Sequence, residues 1–331
     1  MKIWKALLSV LFAYLIFIAL YLTIELTTPL KINNITEIHI PKGVSFSYIA
    51  SSFKEKGIIK NELIFKITGR ILGIEKRAKS GYYLISKDMS LLDIFTKLIK
   101  GKIIEYTLTV VEGDSLFEIA EKLSKINPQF GSQLFEISKD TNFLKILKID
   151  APSLEGYLYP ATYNIPKGMD LKDIITMMVK KFWNMYDKEL LEKTREMGWT
   201  VNQVVTLASI IEKEAKLEEE KPIISAVYHN RLKIGMPLQA DPTAIYGIKR
   251  FKEGVTKKDL LRKTPYNTYI IQRLPPGPIS SPSLSSIKAA LNPAKVPYLY
   301  FVANGDGSHT FSTTYDKHLL AINEIRRKKV E

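Results

Sequence analysis

Residues 110–123 read VVEGDSLFEIAEKL, and residues 40–53 read IPKGVSFSYIASSF. The two stretches align without gaps around Gly113 and Gly43, at an offset of 70 residues, which marks an internal duplication. In each, a β-type run ends at a glycine, and the serine two residues on (Ser45, Ser115) stands where a helix needs its N-cap. A second pair follows: GYYLISKDMSLLDIFTKLI (81–99) resembles GYLYPATYNIPKGMDLKDIITMMV (156–179), the latter five residues longer before a shared M-x-L-x-D-I run. The duplicated unit reads strand, turn, helix, then strand, turn, helix, and predicts an α+β fold.

Beyond the duplication the pattern is mainly helical. A helix is predicted over 171–187, with Met178, Phe182 and Met185 as core residues. Two further helices are predicted between Gly198 and Met236, the first capped by Thr200. A basic helical segment near 255–263, a helix starting at Ser283 and a hairpin around NGDG (304–307) complete the chain.

Composition bounds the function. A chain of 331 residues, 46% hydrophobic and 25% charged, is long enough for two or more units with real cores. Without cysteine there is no disulfide framework, thiolate metal site or cysteine nucleophile. The net charge of +14 is spread along the chain and interleaved with acids, as in EKRAKS and KKDLLRK, with no basic block. That pattern describes a solvated surface first. Attraction to anionic lipid or to an acidic wall polymer comes second, and nucleic acid last.

Residues 6–24, ALLSVLFAYLIFIALYLTI, are 19 consecutive residues without a charge. At helical rise they match the roughly 30 Å hydrocarbon core of a bilayer. The run is longer than a signal-peptide core, and ELTTPLKINN after it has no small-x-small cleavage site, so a membrane span is expected. Lys2 and Lys5 precede it and Lys31 is the first base after it, which leaves residues 1–5 in the cytoplasm and the body on the other side.

Glu212 and Glu214 interrupt the apolar helix LASIIEKEA (207–215). On a 3.6-residue repeat they lie about 200° apart, so they cannot form a close carboxylate pair. Glu214 has Leu207, Ile210 and Ile211 at i−7, i−4 and i−3, whereas Glu212 has Val205, Ala208 and Ser209. A carboxyl against apolar side chains has its pKa raised and can serve as a general acid. On the pattern alone, two solvated glutamates paired with Lys213 and Lys216 are the first reading, and periodicity does not overturn it.

Two resemblances narrow this reading. The V-x-x-GDSL-x-x-IA pattern at 110–120 resembles the opening of LysM, a module that binds N-acetylglucosamine-containing glycans, although a capped helix after a strand gives the same local pattern. ASIIEKE, YHNRLKIGMPLQADPTAIYG, TPYNTYIIQRLPPGPISSP and AALNPAKVPYLYFVANGDGSHTFS, in this order and with the N-terminal span, resemble the endolytic murein transglycosylase family, the MltG or YceG-like proteins. The resemblance covers essentially the whole chain.

The family resemblance implies a single-pass protein of the cytoplasmic (inner) membrane, its body on the periplasmic or outer side. It divides the chain into a cytoplasmic tail (1–5), a transmembrane helix (6–24), a linker (25–38), a LysM-like region (39–150, its duplication extending to about 180) and a catalytic domain (151–331). The implied activity is that of a lytic transglycosylase, a lyase cutting the β-1,4 bond between N-acetylmuramic acid and N-acetylglucosamine in nascent peptidoglycan and leaving 1,6-anhydro ends. The second glutamate of E-K-E, Glu214, maps to the catalytic acid, which acts as general acid and then as base. Ordinary glycoside hydrolysis uses two carboxylates; this chemistry needs one, with no metal and no cofactor.

Gln239, Asp241, Tyr266 and Asn267, with Glu155 and His309, are the substrate-binding candidates, and Tyr157, Tyr159 and Tyr163 are available as aromatic walls. Expected partners are peptidoglycan glycan strands, membrane lipid and cell-wall synthases, not nucleic acid. The competing readings are a non-enzymatic glycan-binding scaffold of the synthesis machinery and, more remotely, a DNA-binding membrane protein.

Overall fold

The computed structural model describes residues 2–30, 32 and 34–328; Lys31, the first base after the apolar run, lies outside the described residues. The fold is mixed α+β. Two compact units divide the chain: Met1–Tyr106 with Asn164–Met169, and Thr107–Tyr163 with Asp170–Glu331.

In the first unit α1 spans Lys2–Thr27. Its Ile3–Thr27 stretch is the one segment among the described residues long and apolar enough to cross a membrane, and its most apolar part is unburied. The hydroxyls of Ser9, Thr23, Thr27 and Thr28 each donate back to the carbonyl four residues earlier, so these serine and threonine side chains need no outside partner in an apolar surrounding.

Strands β1 (Thr36–Ile40) and β2 (Gly81–Ile85) pair antiparallel, from Thr36↔Ile85 to Ile40↔Gly81. Alternation sends Ile38, Ile40, Tyr83 and Ile85 inward. They meet Phe53 of α2 (Phe46–Glu55), Phe65 of α3 (Glu62–Ile71) and Phe95 of α4 (Leu91–Lys100) in one apolar core. Leu26 and Leu30 join this core, and the Leu30 N–H donates to the Met89 carbonyl at 2.8 Å, which ties down the end of α1.

The same local grammar recurs further along the chain. Strand β3 (Glu105–Val110) runs into a turn at Gly113 and then into α5 (Leu116–Ser124). Gly43 and Gly113 take φ of +81° and +79°, the left-handed region that a side chain would strain. Ser45 caps α2 and Ser115 caps α5, the latter in a capping box with Glu118. After α6 (Phe130–Ile137) and α7 (Thr141–Ile146), strand β4 (Ala161–Pro166) pairs with β3, and α8 (Leu171–Met185) follows Asp170 as α4 follows Ser90.

The rest of the second unit surrounds one buried helix, α10 (Val201–Glu214). Thr200 and Gln203 form its capping box, and every residue from Val204 to Ile211 is buried. After α9 (Lys188–Glu196) and α10 come α11 (Lys221–Lys233), the short α12 (Asp241–Ile245) and α13 (Lys257–Leu260), and then α14 (Leu284–Leu291). Strands β5 (Tyr300–Ala303) and β6 (His309–Ser312) form an antiparallel hairpin across the NGDG turn, and α15 (Tyr315–Lys328) follows.

The aromatic walls expected from Tyr157 and Tyr163 are absent. Tyr157 is buried against Phe182 and Trp183, and Tyr163 is buried with its hydroxyl on the Tyr159 carbonyl at 2.5 Å. Both are core residues, placed there by the hydrophobic area of their rings.

Candidate active site

One face of α10 is a docking surface. Asn202 Nδ2 donates to the Pro276 carbonyl at 2.8 Å, and Ser209 Oγ accepts from the Ile279 N–H at 3.0 Å. One turn further on, Glu212 Oε2 accepts from the Ser283 N–H (2.8 Å), Ser283 Oγ (2.5 Å) and Ser286 Oγ (2.7 Å), and Lys221 Nζ lies 3.6 Å from Oε1. Glu212 thus holds the N-terminus of α14, where the partial positive charge of the helix end favours an acid. The LPPGPISSP loop is packed, not open: Ile279, Ser280 and Ser281 are fully buried. Pairing of the two acids with Lys213 and Lys216 does not occur. Lys213 instead donates to the Gly113 carbonyl at 3.2 Å and stands 4.1 Å over the Phe251 ring.

Glu214 ends α10 on a different face and looks into a cavity of about 310 Å³. The walls bring Arg231 from α11, Gln239 and Asp241 from the segment entering α12, and Tyr269 from the loop after α13. His309 comes from β6 and His318 from α15. No side chain closes a hydrogen bond of normal geometry on the Glu214 carboxyl; the buried Tyr228 hydroxyl lies beside it, itself unpartnered. Burial pushes the Glu214 pKa up to about 8, and the charge of Asp241 adds to the effect. The Tyr228 hydroxyl, the Arg231 charge and the Asp241 backbone N–H pull the other way and lose. The position at the C-terminal, negative end of a helix also disfavours the carboxylate. The result is a carboxyl that keeps its proton at neutral pH yet faces an open cavity, which is what a general acid requires.

Three of the six substrate-binding candidates reach this cavity. Gln239 is exposed there at a φ of +51°, a left-handed conformation that costs a non-glycine residue energy and concentrates at functional sites. Asp241 accepts from Tyr269 Oη at 2.6 Å. His309 is held from behind by Glu220: Nδ1 lies 2.6 Å from Oε2, and the backbone N–H donates to Oε1 at 2.9 Å.

The other three form a separate arrangement. Glu155, 1% exposed, accepts the Leu116 N–H at the start of α5 (3.1 and 3.2 Å) and Tyr246 Oη (2.8 Å). Burial lifts its pKa to about 8. Tyr266 stacks at a tilt on Tyr246, centroids 4.7 Å apart. Asn267 is fully buried: Nδ2 donates to the carbonyls of Asp259, Leu260 and Arg262, and Oδ1 accepts the Tyr269 N–H at 3.0 Å. Its contribution to the cavity is indirect, through the loop that carries Tyr269. Gly156 lets the chain beside Glu155 pass close to Pro278 and Val205; a Cβ there would lie 2.5 Å from Pro278 Cβ.

Sequence reasoning did not single out Arg231, Tyr228, His318, Glu220 or Tyr269 as site residues. The run His229-Asn230-Arg231 carried a usable signal. His229 Nε2 meets the Ala290 carbonyl (2.9 Å), and Asn230 Nδ2 donates to the carbonyls of Val296 and Tyr298 (2.9 Å each). Arg231 Nε donates to that of Leu299 (2.7 Å). Asn230 and Arg231 thereby fasten the segment that leads into β5, while His229 ties α11 to α14. Among the described residues no group of three or more His, Asp or Glu is arranged to hold a metal ion.

The sequence pattern of the YceG-like family matches residues 38–324. A Bacillus subtilis (strain 168) protein named endolytic murein transglycosylase is 37% identical over 298 residues, 85% of this chain and 82% of that protein. The Streptococcus pneumoniae (strain D39) protein of the same name is 29% identical over 316 residues; the match spans 85% of this chain but only 56% of that longer protein. A 2.6 Å crystal structure of a YceG-like protein from Listeria monocytogenes is similar at a TM-score of 0.60 and 34% identity, covering 87% of this chain and 99% of that one.

Proposed function

The chain belongs to the YceG-like family, and from that premise and the setting of Glu214 we propose that it is a membrane-anchored endolytic lytic transglycosylase acting on the glycan strands of nascent peptidoglycan. The observation that carries the mechanism is the Glu214 carboxyl, proton-bearing near neutral pH and facing a cavity lined by polar groups. Glu214 protonates the glycosidic oxygen between N-acetylmuramic acid and N-acetylglucosamine, and the C1–O bond breaks. As carboxylate it then takes the proton of the muramoyl 6-hydroxyl, whose oxygen closes on C1 to leave a 1,6-anhydro end. The acid is regenerated and no water is consumed. Asp241, held by Tyr269, keeps the resting carboxyl protonated; Gln239 and His309 supply contacts to the sugar.

Residues 1–5 remain in the cytoplasm, 6–24 anchor the chain in the inner membrane, and the body works on the outer face, where lipid and cell-wall synthases are its neighbours. The back-bonded hydroxyls of α1 and its unburied apolar surface support the anchor. Residues 39–150 form a LysM-like glycan-binding region and 151–331 the catalytic domain; the positive-φ glycine and capped helix at 113–118 support the former.

Mass spectrometry of products made from purified glycan strands in ¹⁸O-labelled water tests the reading. Anhydro ends without ¹⁸O are expected. Reducing ends carrying ¹⁸O would make the enzyme a hydrolase, and retention of strands without cleavage would leave a glycan-binding scaffold.

A further inference from the structure

Arg231 is 6% exposed, and no carboxylate of the described residues comes within ion-pair distance of it. Its Nε donates to the Leu299 carbonyl, and its Nη1 to those of Leu238 (2.6 Å) and Pro237 (3.4 Å). Nη2 has no hydrogen bond to any described group, yet it is not among the sealed atoms left without a partner, so it opens to the cavity that Arg231 lines. A guanidinium largely removed from water without a counter-charge is costly, because backbone dipoles only partly replace its hydration. The carboxylates nearby do not supply one. Glu214 keeps its proton, Asp241 is engaged by Tyr269 (2.6 Å), and Glu220 by His309 (2.6 Å). His318 lines the same cavity.

We propose that the cavity contains a carboxylate-binding subsite in which Arg231 Nη2, with His318 and Gln239 lining the same space, takes an acidic substituent of the muramoyl sugar. This inference rests on the proposed substrate class and adds what the site reads on it. The carboxylate comes either from the bare lactyl ether or from a peptide stem attached to it; both present the same planar acceptor to a guanidinium.

Monosaccharide probes separate this inference from the reaction, since they hold no bond for Glu214 to cleave. Calorimetry of the full chain in detergent micelles compares N-acetylmuramic acid, its primary amide, an N-acetylmuramoyl dipeptide with free carboxylates, and N-acetylglucosamine. A carboxylate-bearing probe is expected to bind roughly tenfold or more tightly than the amide, the usual range for a hydrogen bond to a charged group. Preference for the free acid assigns the lactyl source, and preference for the dipeptide alone assigns the stem. In Arg231→Gln the preference should fall to near one. Equal binding of acid, dipeptide, amide and N-acetylglucosamine overturns the proposal, as does a preference that persists in folded Arg231→Gln. Because Arg231 also fastens three carbonyls, a crystal structure of the unaltered chain with the preferred probe decides the case if that variant does not fold. A carboxylate on Nη2 supports the subsite, and a carboxylate elsewhere overturns it.

Discussion

Along the face of α10 that carries Asn202, Ser209 and Glu212, these three side chains bond into the segment 276–286; at the end of the same helix Glu214 closes no hydrogen bond of normal geometry on any side chain. Two residues separate a carboxylate used as mortar from a carboxyl left poised. The difference lies in the supply of donors. Glu212 meets two serine hydroxyls, a backbone N–H and a lysine, which occupy its oxygens. Glu214 meets apolar burial, a neighbouring negative charge and the wrong end of a helix dipole, which favour its protonated form. Glutamates with nearly the same local sequence are thereby set in opposite environments.

The largest effect expected from disturbing this contrast is in Glu214→Gln. The amide keeps the size of the side chain but can neither give nor retake a proton. Anhydro-product formation should drop by ~10⁴-fold or more, since general acid and general base each contribute ~10²–10⁴. Its melting temperature should be unchanged or raised. Glu212→Ala should behave oppositely, losing about 3 kcal/mol of stability by stranding Lys221 and the α14 N-terminus. Its activity per folded molecule should be retained, as chemical denaturation paired with rate assays would establish. Equal catalytic loss in both folded variants would erase the contrast.

Intermediate effects come from charge. Asp241→Asn removes a cause of the raised Glu214 pKa, so the alkaline limb of the pH–rate profile should move to lower pH. A stationary limb would mean that another group governs it. Stability follows from the same shift. With a folded pKa of about 8 against an ordinary 4.5, the folded chain binds a proton in that window which the unfolded chain has released. Stability contributed by Glu214 is therefore full below about pH 4.5 and is lost as pH rises towards 8. Glu155, also lifted to about 8, adds a parallel decline. Melting curves from pH 5 to 8 should fall less steeply in Glu214→Gln and in Glu155→Gln than in the unaltered chain. The smallest effect is expected for Ser209→Ala, which strands the buried Ile279 N–H and should cost about 1–2 kcal/mol while leaving turnover of the folded enzyme intact.

The legible parts of the molecule were those whose causes are local. Positive-φ glycines at 43 and 113, the caps Ser45, Ser115, Thr200 and Ser283, and the apolar run of α1 all follow from residues within a few positions of one another. The greasy neighbours of Glu214 were readable for the same reason. The role of Glu212 was not, because Ser283 and Ser286 lie 71 and 74 residues further along the chain. Arg231 stayed hidden likewise: its carbonyl partner Leu299 is 68 residues away. Family resemblance brought Gln239, Asp241 and His309 to the cavity, but it grouped them with Glu155, Tyr266 and Asn267, which the fold uses elsewhere. Tyr157 and Tyr163 show the converse error, since a tyrosine in a glycan-related sequence is first of all a large apolar surface seeking a core.

A carbon-13 titration of the glutamate side-chain carboxyls in the full chain, with Glu214→Gln supplying the assignment, tests most directly whether this acid is poised as described. The account predicts a Glu214 resonance that titrates at about pH 8. A Glu214 resonance titrating between about 4 and 5, as for an ordinary solvated glutamate, would contradict it.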